Sequence, residues 1–274
     1  MKLFARISTL LILIGISSGL LALQQYGDQD GYSGFSRRGF SSPGDTEKSE
    51  YSWSRLRYSS AGGGGYGYGG YGYGRGGNWS RDYPKADRQF LIALRRLTRI
   101  QARPVEQVVD LDSDEIFNFP WVYAVQVQTW SFTEDEAKRM REYLLKGGFL
   151  MVDDFHGTAD WESFLNGMLE VFPDRQIEEL GDKDELFHVL YDLGERFQVP
   201  GEQYVSTGRT YEKDGYIPGW RAIRDDNGRV MVAICYNMHL GDAWEWADDP
   251  RYPEKFASMA FRIGINYVMY GMTH

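Results

Sequence analysis

A single cysteine, Cys235, is all that this 274-residue chain contains, which excludes an intramolecular disulfide and any cysteine-rich zinc site. The fold must therefore be held by packing. Cys235 itself reads as a small buried apolar side chain, because Tyr236-Asn237 follow it where a nucleophile elbow would need glycine. Positive charge is also in short supply: 30 Lys and Arg against 39 Asp and Glu give a net charge of -9. A broad attraction to nucleic acid or to anionic lipid is not expected from that balance. Neither a P-loop nor a dinucleotide fingerprint is present. Gly15-Ile16-Ser17-Ser18-Gly19 has the letters of a hydrolase elbow, but inside an apolar run where no strand-turn-helix can form.

Long hydrophobic runs are scarce, and the one that stands out is Ile7 to Leu23, preceded by Lys2 and Arg6. Residues 1–23 are read as a signal peptide or membrane anchor, since a run of about 17 residues is at the short end of what spans a bilayer. Export to the periplasm or cell envelope is the expectation, with residues 7–23 either removed or kept as the anchor. Residues 24–50 carry no helical or alternating period and are read as a disordered linker. Within 51–274, the Gly/Tyr tract over 61–77 is too rich in glycine for an ordinary helix or strand. It is read as a surface loop inserted in an α/β domain, with a self-associating segment as the other reading.

Tyr51 to Tyr58 alternates enough to be a first strand, with Arg55 either in solvent on an edge or reaching an anionic ligand. Phe90, Leu94, Leu97 and Ile100 place an amphipathic helix over Lys85 to Arg99. Short strands are expected within Val105 to Leu111 and Trp121 to Val127. Thr133-Glu134-Asp135-Glu136 has the form of a capping box and Gly147 stands at a helix C-terminus, so both ends of the helix between them are marked. Phe149-Leu150-Met151-Val152 is a continuous apolar run, as in a strand covered on both faces, and it stops at Asp153-Asp154. Further helices are expected over Trp161 to Val171, briefly around Leu186 to Tyr191, and from Pro253 onward. Between them Asp225-Asp226-Asn227-Gly228 marks a hairpin ending at Cys235. Strands alternating with helices give a mostly parallel sheet covered on both sides, whose ligands bind beyond the carboxyl ends of the strands.

Two clusters fall at such strand ends. Asp153, Asp154 and His156 follow the apolar strand; Asn237, His239, Asp242, Trp244 and Glu245 follow the strand ending at Cys235. Together with Arg55 these are the candidate crevice residues. Asp153, Asp154, His156, His239 and Asp242 are the side-chain types that a divalent metal or an acid/base pair requires. Asp153 or Asp154 capping the next helix, and a loop held by Trp244 and Trp246, are the plainer readings. No organic cofactor is predicted, a divalent metal remains open, and catalytic residues are not assigned.

Trp53-Ser54-Arg55-Leu56-Arg57-Tyr58, Asp82-Tyr83-Pro84, Phe117 through Tyr123, Gly147 through Asp154, Gly241 through Glu245 and Asn266 through Tyr270 resemble the family called domain of unknown function 4159. The resemblance implies a three-layer, flavodoxin-like fold akin to the class I glutamine amidotransferases, with no established activity. The amidotransferase cysteine would follow a central strand, and here Asp153 and Asp154 stand instead. The expectation is thus a non-catalytic module for a small molecule or an envelope protein, without nucleic acid, and touching membrane only through its N-terminal segment. The alternative is a hydrolase using the strand-end Asp, His and Glu residues; convergence of the two clusters would favour it.

Overall fold

The computed structural model describes residues 49–60 and 78–274. Residues 1–48, expected to be a leader and a linker, and the Gly/Tyr tract over 61–77, expected to be an inserted loop, lie outside the described residues. Contacts group the chain into residues 1–43 and 44–274, and every element below belongs to the second unit.

The strands are β1 (Ser54–Arg57), β2 (Gln107–Asp110), β3 (Trp121–Val125), β4 (Phe149–Asp153), β5 (Glu178–Glu179), β6 (Gly219–Arg224) and β7 (Val230–Tyr236). The helices are α1 (Lys85–Leu97), α2 (Glu134–Leu145), α3 (Gly157–Val171), α4 (Gln203–Thr207), α5 (Leu240–Glu245) and α6 (Glu254–Thr273). One mixed seven-stranded sheet runs in the order β2-β1-β3-β4-β7-β6-β5. Its first five members pair in parallel, and β6 and β5 add on antiparallel. The expected hairpin is β6-β7, with β7 deep in the sheet and the two-residue β5 closing the edge beyond β6.

Period-two alternation sorts the strand residues onto two cores even where every residue is apolar. Trp121, Tyr123 and Val125 of β3, with Phe149 and Met151 of β4, join Phe90, Leu94, Trp244 and Ile263 from α1, α5 and α6. Val122 and Ala124, with Leu150 and Val152, join Met140, Leu144, Phe164 and Met168 from α2 and α3. The sheet therefore carries helices on both faces.

The capping box is made as the sequence predicts. Glu136 N–H donates to Thr133 Oγ1 at 3.2 Å, and Thr133 N–H donates to Glu136 Oε2 at 2.7 Å. Gly147 takes φ +111° just beyond the helix end. Gly148 allows close approach, because a Cβ there would sit 2.4 Å from the Tyr143 ring. Replacing Thr133 by alanine is expected to cost about 1 kcal/mol, read as a lower urea midpoint at unchanged slope.

Several expectations need correction. β1 is not an edge strand: β2, from later in the chain, pairs outside it, so Arg55 is fully buried rather than solvent-exposed. Helix α3 starts a turn earlier than Trp161, because other segments satisfy its first N–H groups. Asn237 Oδ1 accepts from Gly157 N at 2.8 Å, and Asp214 Oδ1 accepts from Thr158 N at 3.0 Å. Neither Asp153 nor Asp154 caps it; the N-cap residue is His156, without a side-chain cap bond. Around Leu186 only a 3₁₀ turn, Glu185–Phe187, forms. Trp244 and Trp246 do not merely hold a loop: Trp244 lies on α5 in the core, 4.7 Å from Phe90 between ring centroids.

Candidate functional site

Because β1, β3, β4 and β7 are parallel, their carboxyl ends deliver the segments that follow them to one side of the sheet. Asp154 follows β4 in a left-handed conformation, φ +56°, and Asn237 follows β7 likewise, φ +60°. These two turns bring the clusters together: Asp154 N–H donates to Met238 O, and Asn237 N–H donates to Phe155 O, both at 3.1 Å.

At the centre lies Asp154. His156 Nε2 is 3.4 Å from its Oδ1 and His239 Nε2 is 3.3 Å from its Oδ2. Ligand atoms of Asp154, His156 and His239 all lie within 4.8 Å of one another, and the same holds for Asp82, His239 and Asp242. For comparison, ligands on a tetrahedral ion with bonds of about 2.1 Å are about 3.4 Å apart. The buried Asp/His cluster could therefore hold a metal. His156 is 3% exposed, yet neither ring nitrogen has a hydrogen-bond partner among the described residues. A buried imidazole in that state lacks the bonds such groups normally make.

His239 is enclosed by acids. Its Nε2 meets Asp82 Oδ2 at 2.8 Å, while Nδ1 lies 3.3 Å from Asp242 Oδ2 and 4.0 Å from Glu212 Oε1. Burial disfavours its charge, but Asp154, Asp242 and Asp82 outweigh that and hold its pKa well above the usual imidazole value. Burial likewise works against the Asp154 carboxylate; here His239 and His156 prevail and the pKa falls. Burial pushes Asp242 well up, with Asp82 adding to it against the opposing pull of His239. A metal arriving on His239 would have to displace its proton.

The remaining predicted residues take supporting places. Asp153 accepts from Tyr123 OH and from Gly241 N–H, each at 3.0 Å, while its Oδ1 is buried without a hydrogen-bond partner among the described residues. Burial raises its pKa to about 7. Glu245 is half-buried, and burial followed by repulsion from Asp82 raises it to about 7 as well. Asn237 braces the turn, its Nδ2 donating to Ile217 O at 2.7 Å. Arg55 does not face a ligand: its guanidinium pairs with Asp87, which Trp53 Nε1 also contacts, and lies 4.6 Å over the Tyr123 ring.

Sequence reasoning missed Asp82, Glu212 and Gln126, whose Nε2 donates to Asp154 Oδ2. Asp82 did stand in a motif singled out for its resemblance, and it too is left-handed, φ +62°. Glu212 comes from the loop after α4 and approaches both rings, its Oε1 3.7 Å from His156 Nε2, with 34% of its side chain exposed. Nothing local in the sequence marks it. Gly241 permits the closure, since a Cβ there would lie 2.8 Å from Asp82 Oδ2.

Sheet and cluster together define an α/β protein with a buried carboxylate-histidine centre at its strand ends. The chain belongs to the family described as Domain of unknown function (DUF4159), whose model matches residues 67–272. That match begins inside the Gly/Tyr tract, so β1 lies before it although it pairs within the sheet. Comparison with curated proteins finds no match.

Proposed function

We propose that this chain is an exported, metal-dependent hydrolase whose divalent cation is held by Asp154, His156 and His239. One observation carries the reading: three side chains of metal-ligating type from two separate strand ends converge within 4.8 Å, and one of them, His156, makes no hydrogen bond through either ring nitrogen among the described residues. Two histidines and a carboxylate leave a coordination position for water, the arrangement of catalytic rather than structural sites. A cation there would supply a water of lowered pKa. Glu212, whose Oε1 lies 3.7 Å from His156 Nε2 and 4.0 Å from His239 Nδ1, would be the group to take a proton from that water, and Asp82 or Asp242, whichever lies on the nitrogen the cation leaves free, would orient His239.

The finer fold belongs to the same proposal. The parallel strands in the order β2-β1-β3-β4-β7 support a flavodoxin-like arrangement, and the left-handed Asp154 after β4 supports kinship with the amidotransferases, with an aspartate where their cysteine would stand. Cys235 offers no substitute nucleophile, because burial pushes its thiol well up. Export rests on Lys2, Arg6 and the apolar run to Leu23.

A second reading, a metal-held binding module without turnover, is favoured by burial: Asp154, His156 and His239 are 1%, 3% and 6% exposed. Elemental analysis of the purified full chain is expected to give a near-stoichiometric divalent metal, absent from the His156→Ala, His239→Ala variant. Metal-free protein after incubation with zinc, manganese and calcium would sink both readings. With metal present, nitrophenyl ester and phosphoester hydrolysis separates them. Turnover that falls about 10²- to 10⁴-fold in Glu212→Gln supports the hydrolase; a loaded but inert chain leaves the binding module.

A further inference from the structure

The net charge of -9 is an average, and one segment departs from it sharply. Between Lys85 and Arg103 stand Lys85, Arg88, Arg95, Arg96, Arg99 and Arg103, and the sole acid is Asp87. That acid is buried against Arg55, while Lys85 pairs with Asp248 and Arg88 with Glu106 from outside the segment. Arg95, Arg96 and Arg99 are exposed and pair with no acid among the described residues. Attraction of α1's C-terminal dipole for cations accounts for Arg95 and Arg96. It does not account for the apolar side chains between them. Ile92 is 47% and Leu97 55% exposed, and Leu97, Arg96, Arg99 and Ile100 share a groove with Leu190, itself 47% exposed. Glu50 is the one acid lining that groove, and its Oε2 accepts from Gln101 N–H.

Position adds to composition. The chain enters the domain here: Glu50 N–H donates to Gln101 O at 2.9 Å, and Tyr51 bridges Ala102 ahead of β1. The patch thus lies toward the amino ends of the parallel strands, away from Asp154 and His239.

We propose that the outer face of α1, with Leu190, docks the domain on an anionic lipid bilayer, leaving the strand-end centre turned away from the surface. Arginines next to half-exposed aliphatic side chains match both the phosphates and the acyl boundary of such a surface. A nucleic acid would use the cations but not the aliphatic groups beside them.

The experiment is co-sedimentation of the full chain with vesicles of phosphatidylcholine alone and of phosphatidylcholine mixed with phosphatidylglycerol. The apolar run contributes to both, so the quantity read is the excess on the anionic vesicles. That excess is expected to fall with salt, and Arg95→Gln, Arg96→Gln, Arg99→Gln is expected to lower it about a hundredfold, roughly fivefold per arginine. The same variant should keep the parent's melting temperature and its binding to neutral vesicles. A control with Lys138→Gln, Lys146→Gln and Lys183→Gln, exposed cations elsewhere, should keep most of the excess. Equal binding to both vesicles, equal loss in the control, or arginine-dependent binding to duplex DNA but not to vesicles would each overturn the proposal.

Discussion

Asp87→Ala is expected to destabilise the chain by about 3–5 kcal/mol, a fall in melting temperature on the order of 10 °C. The carboxylate accepts from Arg55 Nε at 3.1 Å and from its Nη2, and Trp53 Nε1 also donates to it, all within a region where both partners are fully buried. Removing the acid strands a guanidinium over the Tyr123 ring with, among the described residues, Arg81 O at 3.3 Å and the more distant charge of Asp82 to answer it. An uncompensated buried charge is costlier than an absent ion pair. The double variant Arg55→Met, Asp87→Leu is accordingly expected to recover most of the loss in a urea titration. Equal instability of single and double variants would show that the pair contributes attraction beyond its desolvation cost. A loss below 1 kcal/mol in Asp87→Ala would mean that the core admits water to Arg55.

Much of the fold was legible because its signals are local. The Thr133 capping box, Gly147, the apolar run at Phe149 and the Asn227-Gly228 turn each occupy a few consecutive residues, and each produced the element expected. The place of β1 was not legible, because strand order depends on which later segment pairs outside it, and β2 lies beyond α1 in the chain. The same limit governed the site. His239 meets Asp82 across 157 residues of sequence, and no periodicity reports such a contact. The strand-end rule told where side chains would gather but not which would face inward. Asp153 and Asp154 are neighbours, yet the first turns to Tyr123 and Gly241 while the second takes the centre. Net charge is limited in a related way: it averages over the whole molecule, whereas the attraction we propose for the basic face of α1 would act within a Debye length of about 10 Å.

For the metal-free chain, Asp153→Asn is expected to raise stability at pH 8 relative to the parent, by up to about 4 kcal/mol, and to change it little near pH 4. The sign follows from the carboxyl's folded pKa of about 7, raised by burial, against an ordinary value of 3.8. Below 3.8 both states hold the proton and the group is neutral in its effect. Between 3.8 and 7 the unfolded chain releases it while the folded chain retains it, so stability declines as pH rises; above 7 both have released it and the penalty is constant. Asparagine keeps the acceptor that Tyr123 OH and Gly241 N–H use and removes the titration. The low pKa of Asp154 acts in the opposite direction; the two carboxylates repel one another, so the difference between parent and variant reads Asp153 together with its coupling to Asp154. Melting both proteins in chelator from pH 4 to pH 8 should show curves that diverge up to about pH 7 and then run parallel. If the variant is instead less stable by one constant amount across that range, Asp153 is ionised throughout, its burial is met by the two donors and by His239, and the cluster holds one more negative charge for a cation to neutralise.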